Sequence, residues 1–364
     1  MAGTVIGTGN TLTQSTWRAL LCHEAERQAH MMSFVGEEED SAIVLINDLS
    51  KVRGDSVQIR FSPTDDSHDG FGEGETIRGR ELSVTFNTDS LKINWLAEAY
   101  AEQGPMTQQR VNFDIKATSF YKLKTWWSRR FEESLLNQLG GNTVASTGLF
   151  KRVGMNAVPT TDNNHKVYGG GLTTDDLVGA DTTAIMTLDL IDDCVLKAQS
   201  KSELSYPIAT CSDGWYHMVV HPYQWKQLRQ NTTSGQWEDI TRAVLEGGKS
   251  YEKSAFNRGW LGSWNNTKIH VSDYVPNGVE DSDSTTAVGT CRRAVFLGAK
   301  AAHIAFGEDF AGGDHLSWIE QVDDYVVFGI LAGSVLGMKT TRFNNSSGTA
   351  ENYGCIVVPT YAKS

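Results

Sequence analysis

Residues 107–139, TQQRVNFDIKATSFYKLKTWWSRRFEESLLNQL, run without a glycine or a proline. Within them Leu123, Trp127, Phe131, Leu135 and Leu139 recur every fourth residue, and Phe113, Ala117 and Phe120 carry the same face upstream. That spacing draws one apolar stripe along an α-helix, and Gly140-Gly141 stops it. At about 1.5 Å per residue such a helix reaches roughly 50 Å, against an average of about 11–12 residues. Residues 116–139 are read as helix, while the turns before them fit helix or strand. Lys122, Lys124, Arg129 and Arg130, with Glu132 and Glu133 after them, are placed mostly on a solvated side.

Upstream, Ser56–Phe61 and Leu82–Asn87 alternate strictly between apolar and polar residues. Period two marks a strand with one covered face. Between them residues 62–80 are rich in Asp, Gly, Ser and Glu, so the two strands form an extended hairpin with a long polar tip. An isolated hairpin is marginal in water and needs a partner surface. Residues 1–46 are a polar lead-in with a short helix near Thr16–Met32 and an acidic turn at Glu37–Asp40. This lead-in has too few apolar residues to build a core of its own.

Downstream, residues 142–180 read as a Gly/Thr/Asn/Asp-rich insertion and Thr182–Ser200 as a helix. A strand at Trp215–Val220 precedes helices at Tyr223–Asn231, started by Pro222, and at Gln236–Glu246. Strands follow at Lys268–Val271, Arg293–Leu297, His315–Val322, Tyr325–Leu331 and Tyr353–Val358. Residues 325–337 read as a buried strand-turn-strand, too short and too glycine-rich to span a bilayer. Helices and strands mix without a βαβ repeat, which makes the class α+β.

The chain has 364 residues, 40% of them apolar and 21% charged, enough for two or three lobes around more than one core. Its formal charge of −12 argues against a nucleic-acid-binding protein. The scattered cysteines Cys22, Cys194, Cys211, Cys291 and Cys355 form no CxxC pair and read as free thiols in a reducing compartment. The first residues lack the basic and apolar regions of a signal peptide, so a cytosolic product is expected.

Local chemical motifs are weak. Gly70-Phe71-Gly72-Glu73-Gly74 lacks the Lys-Ser/Thr ending of a phosphate loop and carries a carboxylate, and reads as a flexible hairpin tip. Asp65, Ser67, Asp69, Gly70 and Glu73 imitate part of a calcium loop, but Thr76 stands where the closing glutamate belongs. His23, Glu26 and His30, and likewise His217 and His221, share faces without the HExxH arrangement. The GxSxG elbow is absent, and Asp192-Asp193 and Asp323-Asp324 point apart. No catalytic, cofactor-binding or metal-binding residue is expected.

The lead-in, the hairpin and the long helix make sense together if neighbouring copies cover them. In that order they resemble the Hong Kong 97-type coat-protein fold of tailed phages, and more narrowly the coat-protein family of coliphage N-four. Residues Ser41–Ile59, the tip Gly70–Gly74, Arg78–Glu81, His221–Arg229 with Trp237, and Gly298–Ala302 carry the resemblance, which spans roughly 33–360. It implies an N-terminal arm (1–50), an extended loop (51–105), a peripheral domain with the spine helix (106–200), an axial domain (201–319) and returning C-terminal strands (320–364). It further implies a major capsid protein, not an enzyme, that self-assembles into hexamers and pentamers around double-stranded DNA without sequence-specific binding. The arm would run along an adjacent subunit. A separate scaffolding protein, a portal and a decoration protein are expected as partners, with assembly in the bacterial host cytoplasm and no membrane. The inter-subunit contacts expected are Trp17, Gly70, Phe71, Gly72, Glu73, Gly74, Arg78, Arg80 and Glu81. The rival readings are an encapsulin-like nanocompartment shell, another phage structural protein of tail or decoration type, and an α+β hydrolase.

Overall fold

The computed structural model describes residues 29–46, 55–62, 71–73, 76, 78–79, 81, 86–103, 105–110, 114–146, 152–230, 260–307, 316–323, 327–345 and 348–363. A single helical turn at His30–Phe34 leads to β1 (Val35–Gly36) and β2 (Ile43–Ile46), then to β3 (Ser56–Phe61), β4 (Asn87–Lys92) and β5 (Asn94–Gln103). Helices α1 (Pro105–Arg110), α2 (Ile115–Leu139), α3 (Asp175–Ala180) and α4 (Leu188–Gln199) follow. The rest is β6 (Tyr216–Val220), α5 (Pro222–Gln230), β7 (Trp260–Trp264), β8 (Thr267–Val271), β9 (Asn277–Val279), β10 (Ala287–Leu297) and β11 (Ala302–Phe306). The chain closes with β12 (Ser317–Asp323), β13 (Val327–Thr340), β14 (Arg342–Asn344), β15 (Ala350–Asn352) and β16 (Cys355–Tyr361).

Two six-stranded sheets carry the body. One runs β1-β2-β11-β13-β12 with β5 also on β13, and the other runs β16-β10-β6-β8-β7 with β9 also on β10. Helix α2 fills the space between them: Leu123, Trp127, Phe131, Leu135 and Leu139 pack with Ile304, Phe306, Ala332 and Met338 of the first sheet. Val219, Val295, Leu297 and Val357 of the second sheet meet the same cluster. The alternate residues of those strands, Met218, Val220, Ala294, Phe296, Ile356 and Val358, face the other way onto α4 and α5. A sheet covered on both faces reads as an unbroken apolar run, which is why Ala294–Leu297 and Cys355–Val358 show no alternation.

Two expectations are corrected, and a third holds. The helix read over 116–139 is present and begins at Ile115, where the Asp114 carboxylate accepts the Ala117 N–H at 3.2 Å. The helix expected from Thr182 begins at Leu188, where the Thr187 hydroxyl accepts the Leu190 N–H at 3.4 Å. The strand-turn-strand expected over 325–337 is one strand, β13, running on to Thr340. Its glycines serve close approach: a Cβ on Gly337 would lie 2.2 Å from the Lys92 carbonyl oxygen, and one on Gly333 would lie 3.0 Å from Trp95.

The polar side of α2 is also less solvated than its sequence suggests. Lys124, Glu132, Asn137 and Gln138 are buried; Glu132 meets the His30 N–H and the Ser272 hydroxyl, and residues 152–156 lie over Asn137 and Gln138. Gln138 donates to the Val153 and Asn156 carbonyls at 2.9 and 2.8 Å, and Asn137 donates to Arg152 at 2.9 Å. Arg293 on β10 meets Asp175 at 2.6 Å with both side chains buried, and donates to the Gly140 and Gly141 carbonyls at the end of α2. A cation at a helix C-terminus complements the exposed carbonyls there.

Candidate assembly surfaces

Strands β3 and β4 form a two-stranded antiparallel ladder from Ser56↔Lys92 to Phe61↔Asn87. The period-two pattern has its expected consequence: Val57, Ile59 and Phe61 are half-buried while Ser56, Gln58 and Arg60 are exposed. The ladder rests on the body of its own chain, through Phe61 and Asn87 at its tip-side end and through Lys92 at its root. Phe61 stacks on Phe343 at 4.8 Å and meets Tyr353 and Tyr206 at 4.9 and 5.1 Å. Asn87 donates to the Asn344 carbonyl at 2.9 Å, and Lys339 pairs with Asp89. Asn156 binds the Lys92 N–H and carbonyl and the Met338 carbonyl, joining the end of β4 to β13.

Beyond the ladder, of the residues expected to touch neighbours, Phe71 is half-buried, and Gly72, Glu73, Arg78 and Glu81 are exposed. Gly79 turns the chain at φ +87° and donates its N–H to the Glu81 carboxylate at 2.6 Å. A side chain would strain that left-handed position. Phe86, where the chain returns, is exposed. Trp17, Gly70, Gly74 and Arg80 lie outside the described residues, as do most of the strand expected at Leu82–Asn87, the helix at Gln236–Glu246 and nearly all of that at Thr16–Met32.

A second surface was not foreseen. Along the outer side of α2 a groove of about 500 Å³ runs between Tyr100, Tyr121, Lys122, Trp126, Arg129 and Arg152. It adjoins another of about 670 Å³, with which it shares Arg130, Glu133 and Arg152, and which Arg292 also lines. Lys122 lies 5.7 Å from the Tyr100 ring and Arg130 lies 5.8 Å from Trp126, the geometry of cation–π contacts. Burial lowers the pKa of Arg130, against the pull of Glu133. Glu133 itself pairs with Arg152 at 3.3 Å. The strip is therefore basic and aromatic in a chain of net charge −12, suited to an acidic segment that carries an aromatic residue.

Of the histidines singled out in the sequence, His23 lies outside the described residues, and Asp273, which meets His221, lines the second groove. His217 Nδ1 is 3.1 Å from His270 Nε2, and His221 Nε2 is 3.2 Å from Asp273. Among the described residues, no group of three His, Cys, Asp or Glu side chains is placed to hold a metal ion. Cys194, Cys211, Cys291 and Cys355 are free and buried, and burial pushes the Cys211 thiol up to about 12. No helix among the described residues is long and apolar enough to cross a membrane.

The family described as "Phage capsid protein" matches residues 5–364. The capsid subunit of Ralstonia phage GP4 is 25% identical with a TM-score of 0.76, covering 100% of this chain and 99% of that one. The cyanophage Pam1 capsid subunit superposes with a TM-score of 0.68 at 15% identity, covering 92% and 93%. The head protein of Helicobacter pylori phage KHP40 does so at 0.64 and 14%, covering 92% and 91%; these last two share the fold. No curated protein matches the chain.

Proposed function

The chain belongs to the phage capsid protein family and has the Hong Kong 97-type coat fold, and from that premise we propose that it is the major coat protein of a tailed phage. It assembles into hexamers and pentamers of an icosahedral shell around double-stranded DNA, in the host cytoplasm, with no catalytic step. A scaffolding protein, a portal and a decoration protein are its partners.

One observation carries this reading: the hairpin's ladder is secured on the body by Phe61, Asn87 and Asp89 while Glu73, Arg78 and Glu81 beyond it stay exposed. A limb held at one end and uncovered at the other fits a second copy. The tip sequence sets Phe71 among Asp65, Asp66, Asp69, Glu73 and Glu75, and the groove on α2 offers Lys122, Arg129, Arg130, Arg152 and aromatic rings. Opposite charges steer the encounter and fix its register. Each contact is weak, but closure multiplies them.

Negative-stain microscopy of the purified protein, with and without its scaffold, tests this. Closed particles are expected from the full chain, and deletion of Ser67–Gly74 should leave soluble subunits or capsomers and no closed particles. Normal shells from the deletion would refute the role of the tip, and a full-length chain that stays monomeric with its scaffold would refute the function.

A further inference from the structure

The segment 29–36, the covalent root of the preceding residues, is seated in an unusual place. Its single turn puts His30 and Phe34 against two histidines of the second sheet, His217 on β6 and His270 on the adjacent β8. Ring centroids lie 4.9 Å apart for His30 and His270, 5.3 Å for His217 and His270, and 4.9 and 5.0 Å from Phe34 to His217 and His270. His217 and His270 are buried, and among the described residues the His270 Nδ1 has no hydrogen-bond partner. Three imidazoles and a phenyl ring thus form one packed unit, with one face supplied by the segment and the other by the body.

We propose that His30, His217 and His270 form an acid-operated latch that holds segment 29–36 on the body at neutral pH and lets it go as the imidazoles take up protons. The charges around the latch decide its sign. From α2, the buried Glu132 accepts the His30 N–H at 3.4 Å and the Ser272 hydroxyl, with Glu133 next to it in sequence. From the turn before β6, Asp213 lies 3.3 Å from His217 Nε2 but already pairs with Lys268 at 2.5 Å. Lys268 adds a positive charge on the β8 side. Among the described residues Glu132 and Asp213 are the carboxylates beside the rings, and Asp213 is shared with Lys268. Imidazolium charges on adjacent rings repel across a packed contact.

The titration direction agrees. Burial lowers the pKa of His270 to about 2, and His30, His217 and Lys268 push the same way. Burial likewise lowers His217, against Asp213. A detached imidazole titrates near 6.5, so the detached state binds protons first and the seat weakens as pH falls below that value. Glu132 has the opposite slope, because burial raises its pKa and the Ser272 and His30 bonds only partly offset that. Once protonated, however, it no longer balances an imidazolium.

Hydrogen–deuterium exchange of residues 29–46 in the intact protein, corrected for intrinsic chemical rates, tests the latch between pH 7.5 and pH 5. The expected rise in opening is about 30-fold, the shift for one group moving from about 2 to 6.5. His270→Gln should remove most of that pH dependence. Unchanged exchange in the wild type, or an undiminished slope in the variant, overturns the proposal. Equal loss of protection along the β10–β16 ladder also overturns it, because acid would then simply unfold the subunit. Should His270→Gln fail to fold, exchange at the His270 ring carbon in the wild type reads its pKa directly, and a value near 6.5 overturns the proposal. None of these outcomes depends on whether shells form at neutral pH.

Discussion

Helix α2 and the β3–β4 hairpin are both built around aromatic residues, yet they stand in opposite relations to their own chain. Trp127 and Phe131 are fully buried between two sheets, and the Trp127 ring N–H reaches the Ala332 carbonyl at 3.3 Å. Phe61 also has aromatic neighbours, but it is half-buried on a ladder only two strands wide. The helix has its cover within the subunit. The hairpin's ladder is only partly covered by its own chain, and Glu73, Arg78 and Glu81 beyond it are exposed. If folding and assembly are separable, substitutions should divide accordingly.

Trp127→Ala attacks the covered partner and should cost the isolated subunit about 3–5 kcal/mol, lowering the urea midpoint; little change would mean the core is not where stability resides. Asp175→Ala should cost nearly as much, about 3–5 kcal/mol by the same assay, because Arg293 would stay buried without its carboxylate. Phe61→Ala should cost about 1 kcal/mol and expose the hairpin to protease before the body; simultaneous cleavage of both would erase the distinction. Asp162→Asn should flatten the acid limb of the stability curve. Burial raises the Asp162 pKa, but the His165 and Asn352 bonds outweigh it and hold the carboxyl below its usual range. That stability is present at neutral pH and lost as pH falls through the folded value. Arg129→Glu, on the exposed groove, should move subunit stability by less than about 0.5 kcal/mol while sharply reducing closed particles; an equal loss of both would show the groove to be structural.

The elements that could be read from sequence were those with one covered face. The four-residue recurrence from Leu123 to Leu139 and the alternation of Ser56–Phe61 each describe a single boundary between protein and solvent. Where burial is two-sided the signal vanishes, and the glycines of β13 then look like turns although they admit the Lys92 carbonyl and the Trp95 ring. Charge misled for a related reason: Glu132 looks solvated until the segment at 29–36 and Ser272 arrive from far along the chain. The groove drew on Tyr100 of β5, Trp126 of α2 and Arg152 of the connection after α2, so no local spacing marked it. The latch was half visible, because His30 and His217 stood out while His270, on a neighbouring strand, supplied the missing contact.

Lys92 ends the hairpin and Asn94 begins β5, whose ladder on β13 extends from Gln103↔Val327 to Asn94↔Leu336. A pull on the hairpin along the chain direction therefore loads that ladder lengthwise, and its hydrogen bonds, which lie across the strands, must yield together rather than one by one. Asn156 and Lys339 brace the junction where the load enters. The limb proposed to meet a neighbour is thus rooted in a ladder loaded in shear.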